Sequence, residues 1–463
     1  MEEKDILSLI TDSENQDLGK AIEILREDEK NRSQINDYYK EVYDLDRKLR
    51  PTQVDKLIQD KYIGEGDNRK FVQKVRVKIP FPKKIIRTAT AFEFGKPVNI
   101  TYDEETELND IVLDQWKSLR MDSKLQELTI HKKTETESCI VFYLTNKTER
   151  SERKLKSKVY SSKDGKMIPY FNDDEDMVFF TWCFETESDN KKISHYWVYD
   201  NENIYQIIDS GAGYELKDIV EHGFDKIPVV YASQDQVEYF DVKEMIDRYE
   251  VALSKLGNSN DYTGHPLLFL EGEVEGLPDK DQDGKVLMGS VKIDPKTEKE
   301  VRSNAKFLTH DNAPEAVKLE LEQLKEHIYS MTSTPDVSFS NLKGIGNIAS
   351  HSMELMFLDA KMKALLNEGD NRTLVERCLN VIISGIVTTM QTGLSTQRDL
   401  AVFDIEFESI LPSSLLDKVT ALSTAKQSGL ISTDTAVKEM NLVNDFQEEV
   451  NLINNSQNTG NQE

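Results

Sequence analysis

The chain has 463 residues, 38% hydrophobic and 31% charged, with 58 basic against 84 acidic side chains and a formal net charge of −26. At about 150 residues per domain, that length corresponds to roughly three structural units. Charge of this sign excludes tight nucleic-acid binding, which depends on Lys and Arg displacing counterions, and it keeps a chain soluble and repels polyanions.

Residues 1 to about 60 carry Ile6, Leu7, Ile10, Ala21, Ile22, Ile24 and Leu25 at helical spacing. Pro80 and Pro82 interrupt regular structure. Lys83 to Phe94 is expected as a helix ended by Gly95 and Pro97. Val98, Ile100 and Tyr102 alternate as a short strand does, and 107–133 returns to helix. From Ser138 to Ala232 the period becomes two. The stretches CIVFYLT, DMVFFTWCFETES, ISHYWVYDNENIYQIID and IPVVYA are rich in β-branched and aromatic residues. They predict a mostly antiparallel sheet packed on the flanking helices.

In DVKEMIDRYEVALSKLGNSND, Val242, Met245, Ile246, Tyr249, Leu253 and Leu256 form one apolar stripe, with Gly257 and the Asn/Ser/Asp run expected to end it. A β-flavoured insert over 262–310 follows. Pro314, with Asp311 or Asn312 as N-cap, opens a second long helix. Its Val317, Leu321, Leu324, Ile328 and Met331 step as a heptad seam. Two long amphipathic helices therefore bracket a small β-rich excursion. A glycine-bearing loop over 338–350 leads to a helix from about Ser350, with Met353, Met356, Phe357, Ala360 and Leu365 on one face. A nearly apolar helix from about Thr373 to Gln391 is expected to be buried. DLAVFDIEFESIL alternates like a strand. Residues 412–455 read as short helices with a turn at Gly429, and 456–463 as a disordered tail by composition. No stretch approaches the ~20 apolar residues of a membrane span. The acidic first residues lack an apolar segment of signal-peptide length. A soluble protein of the cytoplasm, or of a particle assembled there, is the expectation.

Candidate chemistry is sparse. GIGNIASH has two close glycines, but it lacks the third glycine of a dinucleotide fingerprint and the Gly-Lys-Ser/Thr of a phosphate loop. In DKDQDG, Asp279, Asp281 and Asp283 match the first ligand positions of a calcium loop, yet Ser290 stands where a bidentate Glu belongs. A solvated acidic turn is the plainer reading, with weak divalent binding as the alternative. The seven histidines show no ligand spacing, and nothing marks a nucleophile. Cys139, Cys183 and Cys378 are neither a disulfide framework nor a zinc set. They read as buried thiols in a reducing compartment. No cofactor motif and no positive sign of catalysis are present.

Four stretches, in this order, carry a resemblance: IIRTATAFEFGKPVNIT; HGFDKIPVVYASQDQVEYFDVKEMIDRYEVALSKLGN; MTSTPDVSFSNLKGIGNIASHSMELMF; and LPSSLLDKVTALSTAKQSGLISTDTAVKEMNLVNDFQEEV. Together they span about 80 to 450, and the chain resembles the portal proteins of tailed bacteriophages in the SPP1-like branch. The resemblance implies an α+β portal fold, assembled as a ring of about twelve copies around a central tunnel at one capsid vertex. It implies a wing over 1–240, stem helices over 241–261 and 311–337 with a clip at 262–310 between them, a tunnel loop at 338–350, tunnel and wing helices with a returning strand over 351–411, and a crown over 412–455. Asn341, Lys343, Gly344, Gly346 and Asn347 would then face passing double-stranded DNA. Val242, Ile246, Tyr249, Leu253, Val317, Leu321, Leu324 and Ile328 would pack the stem. The implied partners are the terminase large subunit, a head-completion adaptor, the major capsid protein and a scaffold protein, with assembly in the host bacterial cytoplasm and no membrane. The alternatives are a phage structural or assembly protein without a tunnel, and a divalent-metal hydrolase built on the acidic turn.

Overall fold

The computed structural model describes residues 3–12, 16–27, 53–63, 69–145, 153–188, 191–211, 213–263, 314–336, 355–408 and 415–440, six short strands within 267–308, and residues 410, 450, 452 and 453. Helices α1 (Glu3–Thr11), α2 (Leu18–Leu25) and α3 (Gln53–Leu57) precede a hairpin of β1 (Lys61–Ile63) and β2 (Lys70–Val72). Helix α4 (Phe81–Phe94) starts two residues before the expected Lys83. Pro82 lies in its first turn, where a missing N–H leaves no helical bond unmade. Strand β3 (Asn99–Thr101) leads to α5 (Glu107–Leu119) and α6 (Met121–Glu135). The single helix expected over 107–133 is thus two, divided where Arg120 turns left-handed at φ 55°. Thr106 caps α5 by accepting from Asn109 N at 3.2 Å.

Strands β4 (Glu137–Leu144), β5 (Leu155–Ser161), β6 (Lys166–Phe171), β7 (Met177–Ser188), β8 (Lys191–Tyr199), β9 (Asn203–Asp209), β10 (Tyr214–Glu221) and β11 (Val229–Ser233) form two antiparallel sheets instead of one. One has the order β10-β9-β8-β7-β6, the other β11-β4-β5. Alternation along each strand assigns the faces. Phe179, Tyr196 and Val198 pack on Ile6, Ile10, Ile22 and Leu25 of α1 and α2. Phe180, Trp182 and Tyr199 meet Cys139, Val141, Val229 and Tyr231 of the smaller sheet. The other face of that sheet, with Ile140, Phe142 and Val230, joins the main core beneath α5 and α6. The result is four layers: helices, sheet, sheet, helices.

Helix α7 (Lys243–Thr263) follows a short 3-10 turn, Phe240–Val242. In the insert, β12 (Leu267–Glu271) pairs with β17 (Asn304–Leu308). Within it β13 (Val274–Glu275) pairs β14 (Met288–Gly289), and β15 (Val291–Ile293) pairs β16 (Glu300–Arg302). Helix α8 (Pro314–Met331) returns. After it come α9 (Leu358–Leu366) and α10 (Glu368–Gly385), the latter running into a π-turn to Met390. Helix α10 begins five residues before the expected Thr373, and its Val375, Cys378 and Ile382, with Ile386 just beyond its end, fill the main core. Glu368–Met390 is long and apolar enough to cross a membrane by length and hydropathy, but 61% of its most apolar window is buried inside this fold. Strand β18 (Asp404–Glu406) then pairs antiparallel with β3, Ile405 opposite Ile100. Helices α11 (Leu415–Gln427) and α12 (Thr433–Met440) flank Gly429, whose φ of +75° only glycine adopts readily.

Candidate functional site

Two helices separated by the insert come together. Helix α7 has 21 residues and α8 has 18, so each is roughly 27–32 Å long. They run antiparallel, with Arg248 and Glu320 paired at 2.6 Å across them. At the base, Val242, Ile246 and Ile328 are fully buried in a cluster with Phe81, Ile85 and Ile86 of α4. Tyr249 is half-buried and stands edge-on to Phe81 at 5.2 Å. Leu253, Val317, Leu321 and Leu324 are half-buried. Met331, the last residue of the heptad seam, departs from it and is 62% exposed.

Helix α7 passes Gly257, where the sequence pattern predicts its end, and continues to Thr263. An adjoining face of the helix explains this. Glu250, Ser254 and Asn258 accept from the backbone N–H groups of Ile79, Val77 and Val75 at 2.9, 2.8 and 3.0 Å. Asn258 Nδ2 also donates to Val75 O at 2.9 Å. Four helical residues rise about 6 Å, and two extended residues span about 6.6 Å, so the two ladders keep step. The even-numbered side chains point the other way. Arg76 pairs with Asp60 at 2.9 Å, and Lys78 with Asp55 at 2.7 Å. The extended segment 73–79, lacking a strand partner among the described residues, is thereby held to α7 and α3.

Behind the helix pair lies a buried charge cluster. Lys133 of α6 sits 3.0 Å from Glu93 of α4 and 3.0 Å from Glu238, just ahead of α7. Lys363 of α9 also pairs with Glu238, and its Nζ donates to Thr332 O, at the end of α8, at 2.9 Å. Asn367 donates to Glu93 at 2.7 Å. Burial pushes the Glu238 carboxyl up, but Lys133 and Lys363 outweigh it and hold its pKa below the usual carboxylate value. Burial pushes the Lys133 ammonium down, and Glu93 and Glu238 more than restore it. Five segments therefore meet at one set of charges, including both chain ends that flank 337–354.

Helix α9 is loosely covered. Ala360 is buried, but Met356 and Leu365, grouped with it on one expected face, are exposed, as are Met362 and Leu366. Residues 351–354, and with them Met353 and the expected helix start, lie outside the described residues, as do Asn341, Lys343, Gly344, Gly346 and Asn347 of the glycine-bearing loop. Asp279, Asp281 and Asp283 lie outside them too. Among the described residues, no group of three His, Cys, Asp or Glu is placed to hold a metal ion. None of the three cysteines forms a disulfide; Cys139 and Cys378 are buried and Cys183 is half-buried.

The family model for phage portal proteins of the SPP1 Gp6-like type matches residues 20–463. No curated relative matches the chain.

Proposed function

The chain belongs to the SPP1 Gp6-like phage portal proteins, and from that premise we propose that it closes into a ring of about twelve copies around a channel for double-stranded DNA at one capsid vertex. Portal proteins are structural components of the phage capsid, not enzymes. In this reading α7 and α8 form the stem beside the channel. The insert between them is the clip, which meets the terminase large subunit during packaging and the head-completion adaptor afterwards. The layered N-terminal region with β18 is the wing, in contact with the capsid shell, and α11 and α12 belong to the crown.

One observation carries the reading. Two antiparallel helices pack on each other, and the chain between them leaves and returns through a paired neck, β12 with β17. A closed neck lets the insert project as a unit from the end of the helix pair. The acidity suits a conduit, because a wall of like charge lets phosphates slide past rather than stick. The loop at 338–350 is assigned to the narrowest part of the channel, with Lys343 making weak, repeated contacts to the duplex backbone and Gly344 and Gly346 giving the loop freedom to follow it.

Electron microscopy of the purified protein at moderate salt, with mass photometry, tests the proposal. A ring with an axial hole that admits duplex DNA supports it. Closed, pore-less particles of defined mass favour a capsid assembly protein without a tunnel. Lys343→Ala is expected to impair packaging or genome retention, and unchanged values for both contradict its role.

A further inference from the structure

A cleft of about 540 Å³ opens between the β6–β7 turn, the end of β11 and helix α10, lined among others by Lys132, Glu175, Ser233, Asp370 and Arg377. Lys132 is only 7% exposed, yet among the described residues its ammonium makes no hydrogen bond or ion pair. The buried carboxylates nearby, Glu93 and Glu238, are taken by Lys133, the next residue. Burial disfavours the charged form of Lys132 and Lys133 adds to that, with Glu93, Asp370 and Glu238 acting only from a distance in the other direction. Arg377, exposed at the cleft, is likewise without an ion pair among the described residues, and so are Glu175 and Asp370. Charges of both signs thus face one space without pairing with each other. The Lys132 stem is buried while its unpaired tip reaches the open cleft, where a counter-charge can meet it.

We propose that Lys132, with Arg377 at the mouth, receives a carboxylate side chain from a neighbouring copy of this chain. The proposal rests on the ring reading, in which a head-to-tail contact presents a different surface of the next copy to this cleft. A second copy is a rich source of carboxylates, with 84 acidic against 58 basic residues. Glu175 and Asp370 disfavour a polyanion such as DNA and suit a protein surface of mixed charge. The volume lies within the 300–1,000 Å³ typical of ligand pockets, ample for an inserted side chain.

The test uses the full chain with Lys132→Met, and Arg377→Gln as an exposed second variant that leaves the fold intact. Two readouts separate the site from a structural role. Lys132→Met removes a partly desolvated charge, so the unassembled chain should melt at a higher temperature than wild type. Rings of the same variant should fall apart on dilution at a roughly tenfold higher concentration by mass photometry, with a smaller shift of the same sign for Arg377→Gln. Variant rings as persistent as wild type overturn the proposal while leaving the ring reading intact. So does inorganic phosphate raising the melting temperature of unassembled wild type but not of Lys132→Met, which marks a free-anion site. A wild type that forms no ring under any condition removes the ring reading, and the proposal with it.

Discussion

Lys133 Nζ lies 3.0 Å from Glu238 Oε2, with the two side chains 2% and 8% exposed. That contact ties helix α6 of the layered body to the residue that leads into α7. Glu238 in turn holds Lys363, so the same carboxylate fixes α9. Removing one member of a buried pair strands the other without a counter-charge. Lys133→Met should therefore destabilise the chain by about 3–5 kcal/mol, measured by urea unfolding of the unassembled protein. A change below about 1 kcal/mol would show that the cluster is solvated in solution.

The same cluster gives a pH dependence with a definite sign. The Glu238 pKa is lowered from its ordinary 4.5 on folding. Its contribution is complete above that value and is lost as pH falls through the lower, folded-state pKa. The stability difference between wild type and Glu238→Gln should stay constant above about pH 6 and shrink below about pH 4.5. A difference that grows on acidification contradicts the assigned ion pairs.

The ladder of Glu250, Ser254 and Asn258 predicts slow hydrogen exchange at Val75, Val77 and Ile79, although no strand pairs with them among the described residues. Asn258→Ala removes both bonds to Val75 and should cost about 1–3 kcal/mol, with exchange accelerated first at Val75. Fast exchange at all three amides in wild type would remove the ladder from the account.

Two glycines should respond in opposite directions. A Cβ on Gly95 would fall 2.1 Å from Ala91 O and 2.5 Å from Ile410, whereas at Gly369 nothing lies within 4 Å. Gly95→Ala should destabilise by about 1–3 kcal/mol through overpacking. Gly369→Ala, in the first turn of α10, should stabilise by up to about 0.5 kcal/mol. Thermal unfolding of the two variants side by side checks both signs.

What could be read from the residues follows the strength of local patterning. Strands β4, β7, β8, β9 and β11 announce themselves in aromatic and β-branched alternation, and β18 in DIE between apolar neighbours. Strand β5, LKSKVYS, and strand β10, YELKDIVE, carry too many charges to stand out. Strand β10 lies at a sheet edge with most of its residues exposed, so burial imposes no pattern on it. The split into two sheets was hidden because both faces of β4 and β7 are buried, which erases alternation of polar and apolar residues. The two long helices were legible from their stripes. The reach of α7 to Thr263 was not, because Glu250, Ser254 and Asn258 look like a solvent face until the extended segment 73–79 is laid against them. The charge cluster was equally hidden, since its members are scattered from Glu93 to Asn367 among many other charged residues.

A three-dimensional reconstruction of the assembled protein, at a resolution that separates helices, would show which elements border the channel. The expected result is a closed ring in which helices 243–263 and 314–331 of every copy stand beside the axial channel, with the insert at one end of the particle. A ring whose channel is bordered by other elements, with this helix pair on the outer rim, would contradict it.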